Sequence, residues 1–348
     1  MVGNSQRDMA LASRFRHRAV LAPPPRSSAF AEAILTLTRT GEFDLVLPVG
    51  YASHLELSRR KPEICESAKL EIADHQDIRR AGNKSEIRTI ASQIGIPVPA
   101  TYYPTDLDTA LNHPFDYPVI VKATVESPGV TVRRASCVEE LRAACTQLAN
   151  IDPGCAFPMI QEYIPGYGCG FFALYQHGVC KRIFMHRRVR EYPPSGGASS
   201  CAQSFYDPQL KSYGISLLDA LKWHGVAMVE FRYDTRDHRY KLLEVNPKFW
   251  GSLDLALASG VDFPYYVCKM ASGKAVDYSE DYDRDIKFHW PFSGELQLCL
   301  RHPRFTMAVL ADCLNPCVQS NLWFSDLRPN LKEAAVALRA GVNKLWPA

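Results

Sequence analysis

The chain contains no apolar run of the roughly 20 residues that a membrane-spanning helix requires, so no membrane partner is expected. Leu11 to Leu21 is broken by Arg14, Arg16, His17 and Arg18, which excludes a signal-peptide core. No CxxC pair occurs. The 11 cysteines are scattered and odd in number, and Cys313 and Cys317, the closest two, have no clustered histidine beside them. That distribution favours free thiols in a reducing cytoplasm over a disulfide or zinc framework. Excess charge is also missing, with a net of +3 and no basic tail. Val179 to Arg190 carries Lys181, Arg182, His186, Arg187, Arg188 and Arg190 and reads in isolation as a nucleic-acid stripe. Without a tail or a recognised nucleic-acid signature, however, no nucleic-acid partner is expected. No Ser–His–Asp or Cys–His arrangement is evident, so the chemistry needs no covalent nucleophile.

What is present is a chain of 348 residues, 47% hydrophobic and 22% charged, enough for two or three domains with a sizeable core. Its most informative stretch is Lys241–Ser252, KLLEVNPKFWGS. Side chains alternate along a strand, so Glu244 and Asn246 share one face while Leu243 and Val245 take the other. A carboxylate and an amide oxygen on one rigid face, followed by Lys248, suit a hard divalent cation and its phosphate ligand. An ordinary half-exposed edge strand gives the same pattern. The preceding strand, Val226–Tyr233, carries Glu230. With a hairpin centred on Asp237, Glu230 falls directly opposite Glu244. Opposed carboxylates repel unless a cation lies between them, so the pair reads as a clamp for Mg2+, with Mn2+ as the alternative.

VEF followed by LLEVNPKFWGS resembles the metal-binding strands of the ATP-grasp superfamily, in particular the carbamoyl phosphate synthetase large-subunit, carboxylate–amine ligase branch. The resemblance spans about Pro48 to Met270. It implies an α+β fold in which two α+β subdomains sandwich ATP, with Mg2+ bridging the phosphates and phosphate passing to a carboxylate. One departure is Lys248, where the family usually has Arg, which leaves the charge but not the two-pronged fork.

Further motifs carry the resemblance. Asn83 to Pro99 reads as a helix with Ile87, Ile90, Ala91 and Ile94 on one face, stopped by Gly95. Lys84, at its start, is either a surface lysine or the family's phosphate contact. Tyr117 to Ala123 is a strand ending in Lys122, and a lysine in an apolar strand needs a counter-charge. In the family that is the α-phosphate. Thr124 to Arg133 stands where the family has a glycine-rich lid, here reduced to Ser127, Pro128 and Gly129. Met159 to Gly166 resembles the adenine-binding hinge, implicating Glu162, Tyr163 and the backbone of Ile164, although a strand closed by a Pro-Gly turn reads the same. HRRVREYPPSGGAS implies Arg188 or Arg190 at the transferred phosphate, and Ser195, Gly196, Gly197 and Ser252 near the substrate. Strand alternation places Arg188 and Arg190 on one face and Arg187 on the other.

The expected domains are residues 1–105, a Rossmann-like α/β domain, 106–275, the ATP-grasp domain, and 276–348, a C-terminal helical extension. The second divides at about 168 into a small lid and a larger metal and substrate subdomain. In the first, Phe30 to Thr38 is a helix, Phe43 to Val49 a buried strand and Pro62 to Asp74 a helix, and the opening βα unit has no room, so this domain is truncated. Lys332 to Leu345 is an amphipathic helix that either covers the core or joins two protomers of a homodimer. Three functions follow. The first is an ATP-dependent ligase that activates a carboxylate as an acyl phosphate for attack by an amine, or less readily by a thiol. The second is phosphorylation of a carboxylate or carbamate without ligation, and the third is a degenerate nucleotide-binding regulatory module.

Overall fold

A computed structural model describes residues 1–3, 8–124, 132–150, 157–194 and 196–345. At the N-terminal end β1 (Val2–Gly3) and β2 (Val20–Leu21) form a two-residue parallel pair. The helix Ser28–Thr38 follows, its first turn capped by Ser27, whose hydroxyl accepts from the Ala29 amide. Two readings of this region change. The strand expected over Phe43–Val49 is a single bridge, Leu45 to Lys69. The helix expected over Pro62–Asp74 ends after Lys61–Ile64. The physical reason is visible beyond Ile64. Leu70 and Ile72 are both buried two residues apart, the spacing of extended chain, and the Lys69 amide donates to Asp44.

The smaller of the two main sheets has the order β3-β6-β4-β5, from β3 (Thr101–Tyr102), β4 (Val119–Lys122), β5 (Val132–Ala135) and β6 (Met159–Glu162). Its hydrophobic face packs on the helix Val138–Ala149 through Leu141, Cys145 and Leu148. β3 precedes residue 106, so this sheet begins upstream of the expected boundary.

The larger sheet has the order β11-β10-β7-β8-β9-β12-β13. Its strands are β7 (Gly166–Gln176), β8 (Val179–Tyr192), β9 (Ala198–Ser204), β10 (Gly225–Asp234), β11 (Arg239–Asn246), β12 (Lys287–His289) and β13 (Val318–Ser320). β7 is buried on both faces, and its period of two divides the core. Phe171, Ala173 and Tyr175 face the helix Pro208–Ala220, while Phe172 and Leu174 face Trp250, Leu255 and Phe263. At Gly214 an added Cβ would lie 2.2 Å from the Phe171 ring, so only glycine lets that helix approach so closely. β12 and β13 make the C-terminal region part of the large sheet rather than a purely helical extension. No helix among the described residues is long and apolar enough to cross a membrane.

Candidate active site

The β10–β11 hairpin sets the chemistry. Glu230 lies directly opposite Glu244, but not because the hairpin is centred on Asp237. Near the turn the register pairs Asp234 with Arg239 and Phe231 with Leu242, and a bulge at Leu243 then moves Glu244 into line with Glu230. Asn246, two residues on, donates through Nδ2 to Glu244 Oε1 at 3.0 Å and accepts from Lys248 Nζ at 3.1 Å.

Cations converge on this pair from three elements. Asn83 caps the helix Lys84–Gln93 by accepting from the Ser85 and Glu86 amides, which fixes Lys84 at its first position. Lys84 is 5% exposed and its Nζ lies 3.3 Å from Glu244 Oε2. Arg188 on β8 places Nη2 2.9 Å from Glu230 Oε1, and its Nη1 donates to the Gly197 carbonyl. Lys122 closes the set from β4, and burial pushes its ammonium down to about 8 against the pull of Glu244. Burial also raises Glu230, and the Glu244 charge opposite adds to that despite Arg188. Glu244 is held down at about 2, because Lys84 and Lys122 outweigh the burial that would raise it.

Lys122, Arg188, Glu230, Glu244, Asn246 and Lys248 line one cleft, with a cavity of about 500 Å3, within the range of small-molecule sites, and Lys84 backs its wall through Glu244. Ile120, Tyr163, Ile164 and Met228 give one end apolar walls. The hinge after β6 is tethered from the hairpin. Arg232 donates to the carbonyls of Ile164 and Gly166, both at 2.7 Å, and Arg236 pairs with Glu162 at 2.8 Å. The Glu162 carboxylate also accepts from the Ala100 amide, and the Glu162 amide donates to the Ala100 carbonyl, so this residue is committed to structure at the cleft wall.

The other end is formed by Gly196, Gly197, Lys248 and Ser252. Arg190 is not among them, and the expectation that it shares a face with Arg188 is corrected. β8 bulges at Val189, so Arg188 pairs with Ala202 but Arg190 with Cys201, and the alternation reverses. Arg190 therefore joins the Arg187 face, where Glu295 and Asp312 accept from its guanidinium. Three other candidates, Ser127, Gly129 and Ser195, lie outside the described residues.

Glu230, Glu244 and Asn246 offer two carboxylates and an amide oxygen, a donor set that fits a hard cation. Among the described residues no group of three or more His, Cys, Asp or Glu side chains is placed to hold a metal ion. Sequence reasoning missed Glu191, which pairs with Arg188 at 3.3 Å, and Trp290 and Ser293 in the cleft wall. Only the pairing of β12 with β9 brings those two there, and no local pattern signals it.

Comparison with known proteins agrees with this architecture. A family model described as ATP-grasp in the biosynthetic pathway with Ter operon matches residues 158–291. The carbamoyl phosphate synthase large chain of Clostridium acetobutylicum is 23% identical over 216 residues, 59% of this chain but only 20% of that one. The chain thus spans about a fifth of this relative's length. The biotin carboxylase of Campylobacter jejuni, solved as a β-γ-ATP complex, superposes with a TM-score of 0.67 at 16% identity, covering 82% of this chain and 68% of that one. An ADP complex of N5-carboxyaminoimidazole ribonucleotide synthetase gives 0.64 at 13% identity, covering 88% and 78%.

Proposed function

Starting from a chain that has the ATP-grasp fold and resembles the carbamoyl phosphate synthetase large-subunit branch, we propose that it is an ATP-dependent ligase. It activates a substrate carboxylate as an acyl phosphate, which an amine then attacks. The observation that carries this reading is Glu230 opposed to Glu244 in a cleft also lined by Lys122 and Arg188, with Lys84 paired to Glu244.

Two anions must meet for this reaction. Lys84 and Lys122 neutralise the triphosphate, while Glu162, Tyr163 and the backbone of Ile164 form the adenine end. Glu230, Glu244 and Asn246 hold Mg2+, or Mn2+ in its place, which supplies further charge neutralisation on the phosphate oxygens when bound. Arg188 and Lys248 stabilise charge on the phosphoryl group in transit. A substrate carboxylate oxygen bonds to the γ-phosphorus as the bond to the β-bridging oxygen breaks and ADP leaves. The amine lone pair then attacks the acyl carbon, the C–O bond to phosphate breaks, and the amine proton is lost to solvent. Gly196, Gly197 and Ser252 orient the carboxylate. Catalysis on this scheme is positioning and charge stabilisation.

The test is ADP release from Mg·ATP with a pool of amino and hydroxy acids and with hydroxylamine as a trap. ADP together with an acid hydroxamate establishes carboxylate activation. ADP release without hydroxamate from any acid in the pool, under conditions where a control acyl phosphate is trapped, rejects the acyl phosphate route.

A further inference from the structure

His186 lies beside this site without lining it. It sits on β8 and is wholly buried against Phe172, with ring centroids 4.7 Å apart. Its Nε2 is 2.7 Å from the Ser252 hydroxyl oxygen. Its other nitrogen, Nδ1, is buried with no hydrogen-bond partner among the described residues. Ser252, 7% exposed, lines the cleft six residues after Asn246. In the same turn the indole Nε1 of Trp250 is also buried without a partner, and Trp250 is likewise a wall of the cleft.

These contacts fix the direction of a proton. Burial, with Arg188 adding to it, drives the imidazole down to about 3, so the ring is neutral and carries one N–H. A buried N–H without an acceptor costs more than a bare lone pair. The proton therefore belongs on Nε2, and Nδ1 keeps its lone pair among the rings. Nε2–H then donates to Ser252 Oγ. The serine proton then has no acceptor on His186, and Ser252 lines the cleft.

We infer that His186 is a positioning residue that fixes Ser252 as a hydrogen-bond donor to an anionic oxygen in the cleft. The anion is a phosphoryl oxygen of the nucleotide or a carboxylate oxygen of the acid. This inference rests on the proposed ligase site for its ligand but not for its geometry.

Two measurements on the full chain test it. Two-bond 1H–15N correlation spectra of 15N-histidine-labelled protein, with His186 assigned by loss of its signals in His186→Gln, report the tautomer directly. Expected is Nε2–H, unchanged between about pH 5 and pH 9, with a shift at Nε2 in Ser252→Ala. The Nδ1–H tautomer, or titration in that window, overturns the inference. Ser252→Ala perturbs the same signals and serves if His186→Gln fails to fold.

The second measurement is calorimetric titration of Ser252→Ala, His186→Phe and the double variant. If the donor serves a phosphoryl oxygen, each single change weakens Mg·ATP binding by roughly 10- to 100-fold, the range of a hydrogen bond to a charged group, and the double change weakens it no further. If it serves a carboxylate, Mg·ATP binding is unchanged and acetate binding to the Mg·ADP complex falls in the same non-additive way. Additive losses, or no loss in either titration, overturn the inference. Failure of the ligase reading shows separately, as absence of hydroxamate, and leaves the tautomer result standing.

Discussion

Arg188 and Arg190 stand two residues apart on one strand and enter two different electrostatic worlds. Arg188 opens onto the cleft and pairs with Glu230 and Glu191, while Lys84 and Lys122 act on Glu244 opposite. Arg190 is sealed in a network with Glu295 and Asp312, completed by Lys287 on Asp312 and by His289, whose Nδ1 lies 2.7 Å from Glu295. In the sealed network every carboxylate finds its cation within the fold. In the cleft two carboxylates face each other and one of them is pushed toward its neutral form. The contrast separates charges that hold the fold together from charges kept available for a ligand. The sealed cluster also has a positional effect, because it anchors Glu295 next to Ser293 in the cleft wall.

Substitutions break the comparison in order of size. Glu244→Gln is expected to lower Mg2+-dependent ADP release by on the order of 10³-fold, the scale of losing several kcal/mol of metal-held charge stabilisation. Full activity in that variant, measured on folded protein, disproves the metal assignment. Arg188→Met is expected to reduce ADP release per folded molecule by roughly 10²-fold to 10³-fold, as for loss of a preorganised donor. Arg190→Met should invert this profile. It strands Glu295 in the interior and costs about 3–5 kcal/mol of stability in urea unfolding, while turnover per folded molecule is preserved.

A pH experiment sharpens the distinction. Lys122 ordinarily titrates near 10.5 and is held at about 8 in the folded chain. Between those values the unfolded chain binds a proton that the folded chain does not, so the Lys122 contribution to the stability of the ligand-free protein rises with pH. Phosphate needs the charged form, so Mg·ATP affinity falls over the same window. Lys122→Met should flatten both trends relative to the parent chain, seen in melting curves and calorimetry. The smallest effect is expected for Arg236→Ala. It loosens the grip of the hairpin on Glu162 but leaves Lys241 on the buried Asp234 and Arg232 on the hinge carbonyls, so Mg·ATP affinity should shift by no more than about fivefold.

The core of the site was readable because it is local. Lys84 follows a capping Asn, Lys122 ends an apolar strand, and Glu244 and Asn246 sit two apart on one strand, so short patterns are enough to nominate them. Arg190 was misplaced because alternation assumes an unbroken pleat, and the extra residue at Val189 leaves no compositional mark. The same holds at Leu243, where the opposition of Glu230 and Glu244 was anticipated through the wrong turn geometry. Trp290 and Ser293 were invisible for another reason: they reach the cleft through strand order, which is set by contacts far apart in the chain. Pro62 to Asp74 misled because a proline start outweighed the period of two at Leu70 and Ile72.

The tether between hairpin and hinge makes the β10–β11 pair a lever. Its base carries Glu230 and Glu244, and its arm grips Ile164, Gly166 and Glu162 through Arg232 and Arg236. On the proposed ligase reading, any displacement of residues 162–166 would reach the two strands that carry the carboxylates through these contacts, so grip on the nucleotide and spacing of the two carboxylates would be set together.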